Sequence, residues 1–284
     1  MTRESAPPKI KVLLLTGQSN QWHNWKVSSR ALEASVSADG MFEVDTLVTP
    51  DAGEDFSEFA PAWSDYDVVL LDYEGDVWPR ETQRAFEAFV SGGGGLVAFH
   101  AADNAFPDWP AFNEMIGVGG WGGRGEDAGP KVRWRKGKMV LDDGPGVAMH
   151  PDPFEFLVET CAPDHPVMRG LPEAWLHAID EQYSQLRGPA KNLTVLATAI
   201  AGPEIENGTS ENEPMLMAID YGKGRVFHTT LGHVGANDTE TPAAMKCAGF
   251  LETLFRGLEW AATGEVTRAV PDDFPGTEFP EVRA

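Results

Sequence analysis

Three of the seven histidines in this 284-residue chain stand where an apolar run ends. Ile10 to Thr16 (IKVLLLT) opens into GQSNQWHNW, which carries His23; Gly95 to Phe99 (GLVAF) runs directly into His100; Arg225 to Thr230 is followed shortly by His233. Imidazole changes charge near neutral pH and ligates metals, so histidines gathered at strand ends suit acid/base work or ion binding. The segment SGGGGLVAFHAADN is the most informative. A glycine run, an apolar strand, then a polar residue between small ones is the pattern of a nucleophile elbow, in which a sharp turn thrusts one side chain into a cleft. The elbow residue is His100, and Asp103, one turn on, is placed to orient its ring. There is no G-x-S-x-G and no glycine-flanked cysteine, which argues against acyl transfer by an elbow nucleophile.

A second constellation lies in HAIDEQYSQLRGP, where Asp180, Glu181 and Tyr183 stand together. If this run is extended, Glu181 and Tyr183 share a face and can act as base and hydroxyl partner in a sugar-sized cleft; the other reading is a solvated acidic turn. Trp22 and Trp25 flank His23, and Trp78, Trp109 and Trp121 fall in loops assigned to the same edge. Flat apolar faces beside carboxylates and amides fit the C–H face and hydroxyl rim of a carbohydrate ring, unless these tryptophans simply pack their loops. The candidate substrate-binding set is Gln21, Trp22, Trp25, Glu74, Trp78 and Asn104. His23, His233 and Glu181 are the expected ligands of a divalent metal, zinc or another first-row ion, with His100 left for acid/base duty. His150, His165 and His177 read as structural, and His228 alternates within a buried strand. The GGGG and GVGGWGG runs match neither nucleotide-binding fingerprint, so no nucleotide cofactor is indicated.

The elements that must hold these groups alternate. Apolar runs at 10–16, 42–48, 66–72 and 95–99 are separated by helical spacing at 26–38 and 79–90, the order of a doubly wound α/β sheet. In such a sheet ligands bind beyond the carboxyl ends of the strands, where the three histidines lie. Residues 104–153 break the rhythm: Gly, Trp and Pro are dense, no helical period survives, and only a hairpin at 131–143 stands out. Strand character returns at 154–159, 194–198, 215–219 and 225–230, and 241–262 reads as a final helix. The tail 271–284 is Pro-rich, acidic and expected on the surface. The whole chain reads as one domain, 1–284, with a core over about residues 9–265.

With 22 basic and 44 acidic residues, the net charge of −22 works against nucleic acid or anionic lipid as a partner and leaves a small-molecule carbohydrate as the expected one. Self-association is left open. Cys161 and Cys247 are far apart and show no zinc spacing, so a reduced thiol pair is expected. MTRESAPPKIK reaches an apolar run too late for a signal sequence, and no stretch approaches a membrane span, which favours the cytoplasm unless the native gene encodes a longer N-terminus.

In order, LLLTGQSNQWHNW, VVLLDYEGDVWP, GGGGLVAFHAADN, DHPVMRGLP, DEQY, YGKGRVFHTTLGH and KCAGFLETLFRGLEWAATGEVT resemble the ThuA-like (trehalose utilisation) family of the class I glutamine amidotransferase-like superfamily, over about residues 9–275. The resemblance implies a flavodoxin-like, mostly parallel sheet with a long loop and hairpin excursion, and an elbow cysteine replaced by His100. It implies a link to the utilisation of disaccharides and their 3-keto derivatives. His23, His100, Glu181, Tyr183 and His233 match its motif positions, without assigned roles. The expectation is a carbohydrate-active enzyme acting by acid/base chemistry, metal-assisted or not. The alternative is a non-catalytic sugar-binding or regulatory module.

Overall fold

The computed structural model describes residues 8–284, so the first seven residues of the expected domain and of the leader reading lie outside it. Strands β1 (Ile10–Thr16), β2 (Phe42–Val48), β3 (Val68–Leu71), β4 (Gly95–Phe99), β5 (Lys131–Arg135), β6 (Lys138–Asp142), β7 (Phe154–Thr160), β8 (Ala174–Asp180), β9 (Leu193–Ile200), β10 (Asn212–Tyr221) and β11 (Gly224–Thr229) follow in chain order. Helices α1 (Trp25–Ala38), α2 (Arg80–Gly92), α3 (Pro110–Ile116), α4 (Ala243–Lys246) and α5 (Ala248–Thr263) lie among them. The large sheet has the order β2-β1-β3-β4-β11-β10-β9-β7-β8. From β2 to β11 all neighbours are parallel, and from β11 to β8 all are antiparallel.

Period two divides the parallel strands between two cores. Val12, Leu14, Val68, Leu70, Val97 and Phe99 face α1 and α5, whereas Leu13, Leu15, Val69, Leu71, Leu96 and Ala98 face α2 and α3. That is why these strands read as continuous apolar runs, and it is the doubly wound α/β arrangement expected of them. Helix α1 starts where the Asn24 side chain caps Lys26 N. Gly17, at φ +134°, lets β1 turn against β2, since a Cβ there would sit 2.6 Å from Thr49 N.

Several boundaries move. The final helix is not continuous from 241: Cys247 is extended (φ −61°, ψ 127°) between α4 and α5. The tail enters this break, and Glu281 O accepts from Ala248 N, one of the amide donors a helix start leaves open. The tail is thus bound along the surface: Gly276 O also accepts from Leu176 N, and Phe274 lies against Trp175. Strand β8 and helix α3 are not expected from the sequence; β8 includes His177–Asp180 of the HAIDEQY run and ends before Glu181 and Tyr183.

The excursion after β4 is packed. Phe106, Trp109, Phe112, Met115 and Ile116 enter the second core. Two buried guanidinium groups tie its backbone down: Arg124 donates to the carbonyls of Asn104, Ala105 and Gly120, and Arg187 to those of Gly129, Gly144 and Gly146. The β5–β6 hairpin turns through Lys136 and Gly137, both at positive φ, as a two-residue primed turn requires.

Candidate functional site

The carboxyl ends of β1, β4 and β11 meet. His23 and His100 rings are 5.3 Å apart, and His233 stands 5.1 Å from each. Backbone bonds between Trp22 and Ala236 and between Asn24 and Val234 tie the first and last of these loops together. His100 occupies the elbow at φ 41°, a left-handed conformation that costs energy for a residue with a Cβ and is found where a side chain must be aimed. Its Nδ1 donates to Thr230 O at 2.6 Å, so Nε2 presents a lone pair, 3.1 Å from His233 Nδ1. His23 is set in the same way: Nδ1 donates to Asn20 Oδ1 at 3.0 Å, leaving Nε2 to accept from the Tyr183 hydroxyl at 3.1 Å. The Asn20 orientation is determined by its own bonds, since Oδ1 also accepts from Trp22 N and Nδ2 donates to Glu74 Oε1.

The carboxylate and the phenol come from the loop after β8. Glu181 Oε2 lies 3.1 Å from His233 Nδ1 and 3.7 Å from His150 Nε2. Tyr183 packs its ring 4.4 Å from His100 and edge-on to Trp121. Outside this cluster opens a cleft of about 600 Å³, walled by Trp22, Trp121, His150, Asn20, Glu74 and Asn104. Asn104 Oδ1 and Glu74 Oε2 are buried without a regular hydrogen-bond partner, and Glu74 Oε2 stands 3.5 Å from His23 Nδ1.

Burial sets the electrostatics. It pushes His100 well below the usual imidazole range, helped by His233 and His23, and takes His233 down to about 4, with His23 adding to the effect. Both rings are therefore neutral at pH 7, the ligating form. Burial, with Asp180 behind it, pushes Glu181 up to about 8. A cation bound here would displace that proton. His23, His100, Glu181 and His233 each offer a ligand atom, and these four atoms lie within 4.8 Å of one another. Second nitrogens anchored to carbonyl oxygens, as in His100 and His23, are the usual support of metal-binding histidines. The residues present fit a first-row divalent ion.

Some expected site residues are elsewhere. Asp103 does not orient His100; its carboxyl is fully buried and faces His228 at 3.7 Å, while a backbone carbonyl holds the His100 ring. Trp78 is 1% exposed and packs among Phe59, Trp63, Phe86, Phe106 and Trp109, because the residues after β3 turn inward under α2. Trp25 begins α1 and lines a small inner chamber beside Asp72 and Ser28, not the cleft. Gln21 is exposed and does not line the cleft. His150, expected to be structural, forms part of its wall. No strand-end signal marked it: mutual backbone bonds between Met149 and Ser184 carry it in from the excursion.

A sheet whose parallel half is covered on both faces, with a strained elbow and a cleft at its carboxyl edge, is a doubly wound α/β scaffold with an imidazole at the elbow. Within that class the chain belongs to the ThuA family, described as trehalose utilisation, whose model matches residues 11–261. A ThuA-like protein from Parabacteroides merdae is 46% identical, covering 97% of this chain and 98% of its own, with a TM-score of 0.93. A ThuA-like protein from Bacteroides uniformis shares the fold at 18% identity and TM-score 0.56, covering 93% of this chain and 97% of its own. A β-galactosidase from Bacillus circulans has a region of the same fold, at 16% identity and TM-score 0.50, over 90% of this chain and 31% of that one. None of the curated proteins compared with the chain matches it. Among the described residues, no helix is long and apolar enough to cross a membrane.

Proposed function

We propose that this protein is a carbohydrate-active enzyme of sugar utilisation, acting by acid/base chemistry on a disaccharide or 3-keto-sugar with the help of a divalent first-row metal. The observation that carries the reading is the convergence of four ligand atoms within 4.8 Å at the floor of a cleft walled by indole, amide and carboxylate groups. His23, His100, His233 and Glu181 would hold the ion, which would supply Lewis acidity toward a carbonyl or hydroxyl oxygen. His100 is only 2% exposed, so it serves the cluster rather than touching the sugar, and the acid/base duty expected of it passes to groups that reach the cleft.

A carbonyl in a sugar ring acidifies the neighbouring C–H, and abstraction of that proton permits isomerisation or loss of a glycosidic leaving group. His150, its side chain 35% exposed and beside Glu181, is the imidazole placed to take up and return the proton. Trp22 and Trp121 offer flat faces to the ring, and Asn104 and Glu74 give the same wall its polar edge.

Incubation with 3-keto-trehalose and 3-keto-glucosides, with and without chelator, tests the proposal, together with elemental analysis of protein purified without chelator. Turnover that disappears on stripping and returns on adding zinc, manganese or cobalt is expected. Saturable sugar binding with no turnover under any metal would instead assign a binding or regulatory module.

A further inference from the structure

Glu181 follows β8 and His233 follows β11, yet the sheet does not join these strands: β10, β9 and β7 lie between them. The two side chains nevertheless meet at 3.1 Å. Their common point is the carboxylate of Asp180, whose side chain is fully buried. Oδ1 accepts from Glu181 N at 2.9 Å and from His233 N at 3.0 Å; Oδ2 accepts from Gly232 N at 2.7 Å and from His177 Nε2 at 2.8 Å. Two successive amides can converge on one carboxylate because Gly232 adopts φ +98°, where a side chain would in any case strike Phe99 and Phe250. His177 is itself fully buried. Neither Asp180 nor His177 lines the cleft.

We infer that Asp180, backed by His177, is the positioning residue of the site: one buried carboxylate sets the separation of Glu181 and His233. The inference rests on the reading of the histidine–glutamate cluster as the working centre. Its bonds to both backbones are direct, so disturbing Asp180 alters the cluster without removing any group in it.

The test uses the full-length protein, metal-free, with nitrogen-15-labelled histidine, and reads the imidazole signals of His100 and His233 in Asp180→Asn. The amide replaces one acceptor with a donor facing N–H groups, so both signals are expected to move from their wild-type positions while far-UV circular dichroism is retained. Should Asp180→Asn fail to fold, His177→Leu removes one donor from the carboxylate and is read in the same way, with a smaller displacement expected. Signals unchanged in the folded variant overturn the inference. Where the wild type turns over a keto-sugar, kcat in Asp180→Asn should fall about 10-fold or more. The imidazole signals need neither substrate nor metal, so a wild type inactive on every sugar would sink the proposed function and leave this test standing.

Discussion

Among the described residues two histidine–aspartate pairs are buried, and the same two residue types do opposite things. At the edge of the antiparallel half, His177 and Asp180 meet at 2.8 Å, and the carboxylate accepts three further N–H bonds. Beneath the excursion, His228 and Asp103 stand 3.7 Å apart, beyond hydrogen-bond reach, and neither Asp103 oxygen has a regular partner. Burial disfavours charge in both places, but at the first pair Asp180 and Cys247 overcome it and raise His177 to about 9. At the second, burial wins over the nearby His228 and Arg124 and raises Asp103. The donors that reach each carboxyl make the difference: four N–H groups converge on Asp180, and none reaches Asp103 at hydrogen-bond distance.

Substituting Asn at each aspartate should separate the pairs most widely. Asp180→Asn leaves His177 without its counter-charge and is expected to lower stability by about 3–5 kcal/mol, the cost of breaking a buried ion pair, measured by urea unfolding. A loss below about 1 kcal/mol, the scale of a single neutral hydrogen bond, would place this pair in the same category as the other.

Thermal melts across pH sharpen the contrast. A histidine raised in the folded state stabilises fully below its ordinary value of 6.5, and that contribution is lost as pH climbs through about 9. Glu181, raised from 4.5 to about 8, likewise favours the fold below 4.5 and loses that contribution as pH rises through 8. The melting temperature should therefore fall on the alkaline side, and His177→Leu should flatten the part of that fall reaching to pH 9. An unchanged slope in this variant would remove His177 from the account.

Asp103→Asn is expected to be nearly silent, within about 1 kcal/mol, because the amide is similar in size and neither Asp103 oxygen has a hydrogen bond to lose. A large loss would show that Asp103 is ionised and paired. Smallest of all in stability is Trp22→Ala: the ring is 67% exposed, so unfolding should change by about 0.5 kcal/mol or less while carbohydrate binding, read by titration calorimetry, weakens. Unaltered sugar affinity would remove Trp22 from the binding wall.

How legible the molecule was in its sequence follows from the range of the forces involved. The parallel half announced itself because burial on both faces forces continuous apolar runs, and strand ends in such a sheet are where polar groups collect. His23, His100 and His233 were marked by that rule alone. The antiparallel half was less legible: β8 alternates buried and exposed residues irregularly, and its pairing with β7 carries a bulge. Trp78 and Trp22 look alike as exposed-loop tryptophans in sequence, but only one of the two loops folds under a helix. Asp103 failed as the partner of His100 because the first turn after the elbow is a 3-10 helix that carries it into the core.

By itself the sequence determined the doubly wound scaffold, the elbow and the histidines at its edge, since each depends on local periodicity or on a turn of a few residues. Tertiary structure alone decided which groups meet. Asp180 bonds to residues 52 and 53 positions away, His23 to Tyr183 160 positions away, and His150 arrives on an excursion held by buried arginines. Such pairings are invisible to any local pattern, because a buried polar atom accepts whatever partner the packing brings within reach, and its satisfaction is enforced only once water has been excluded.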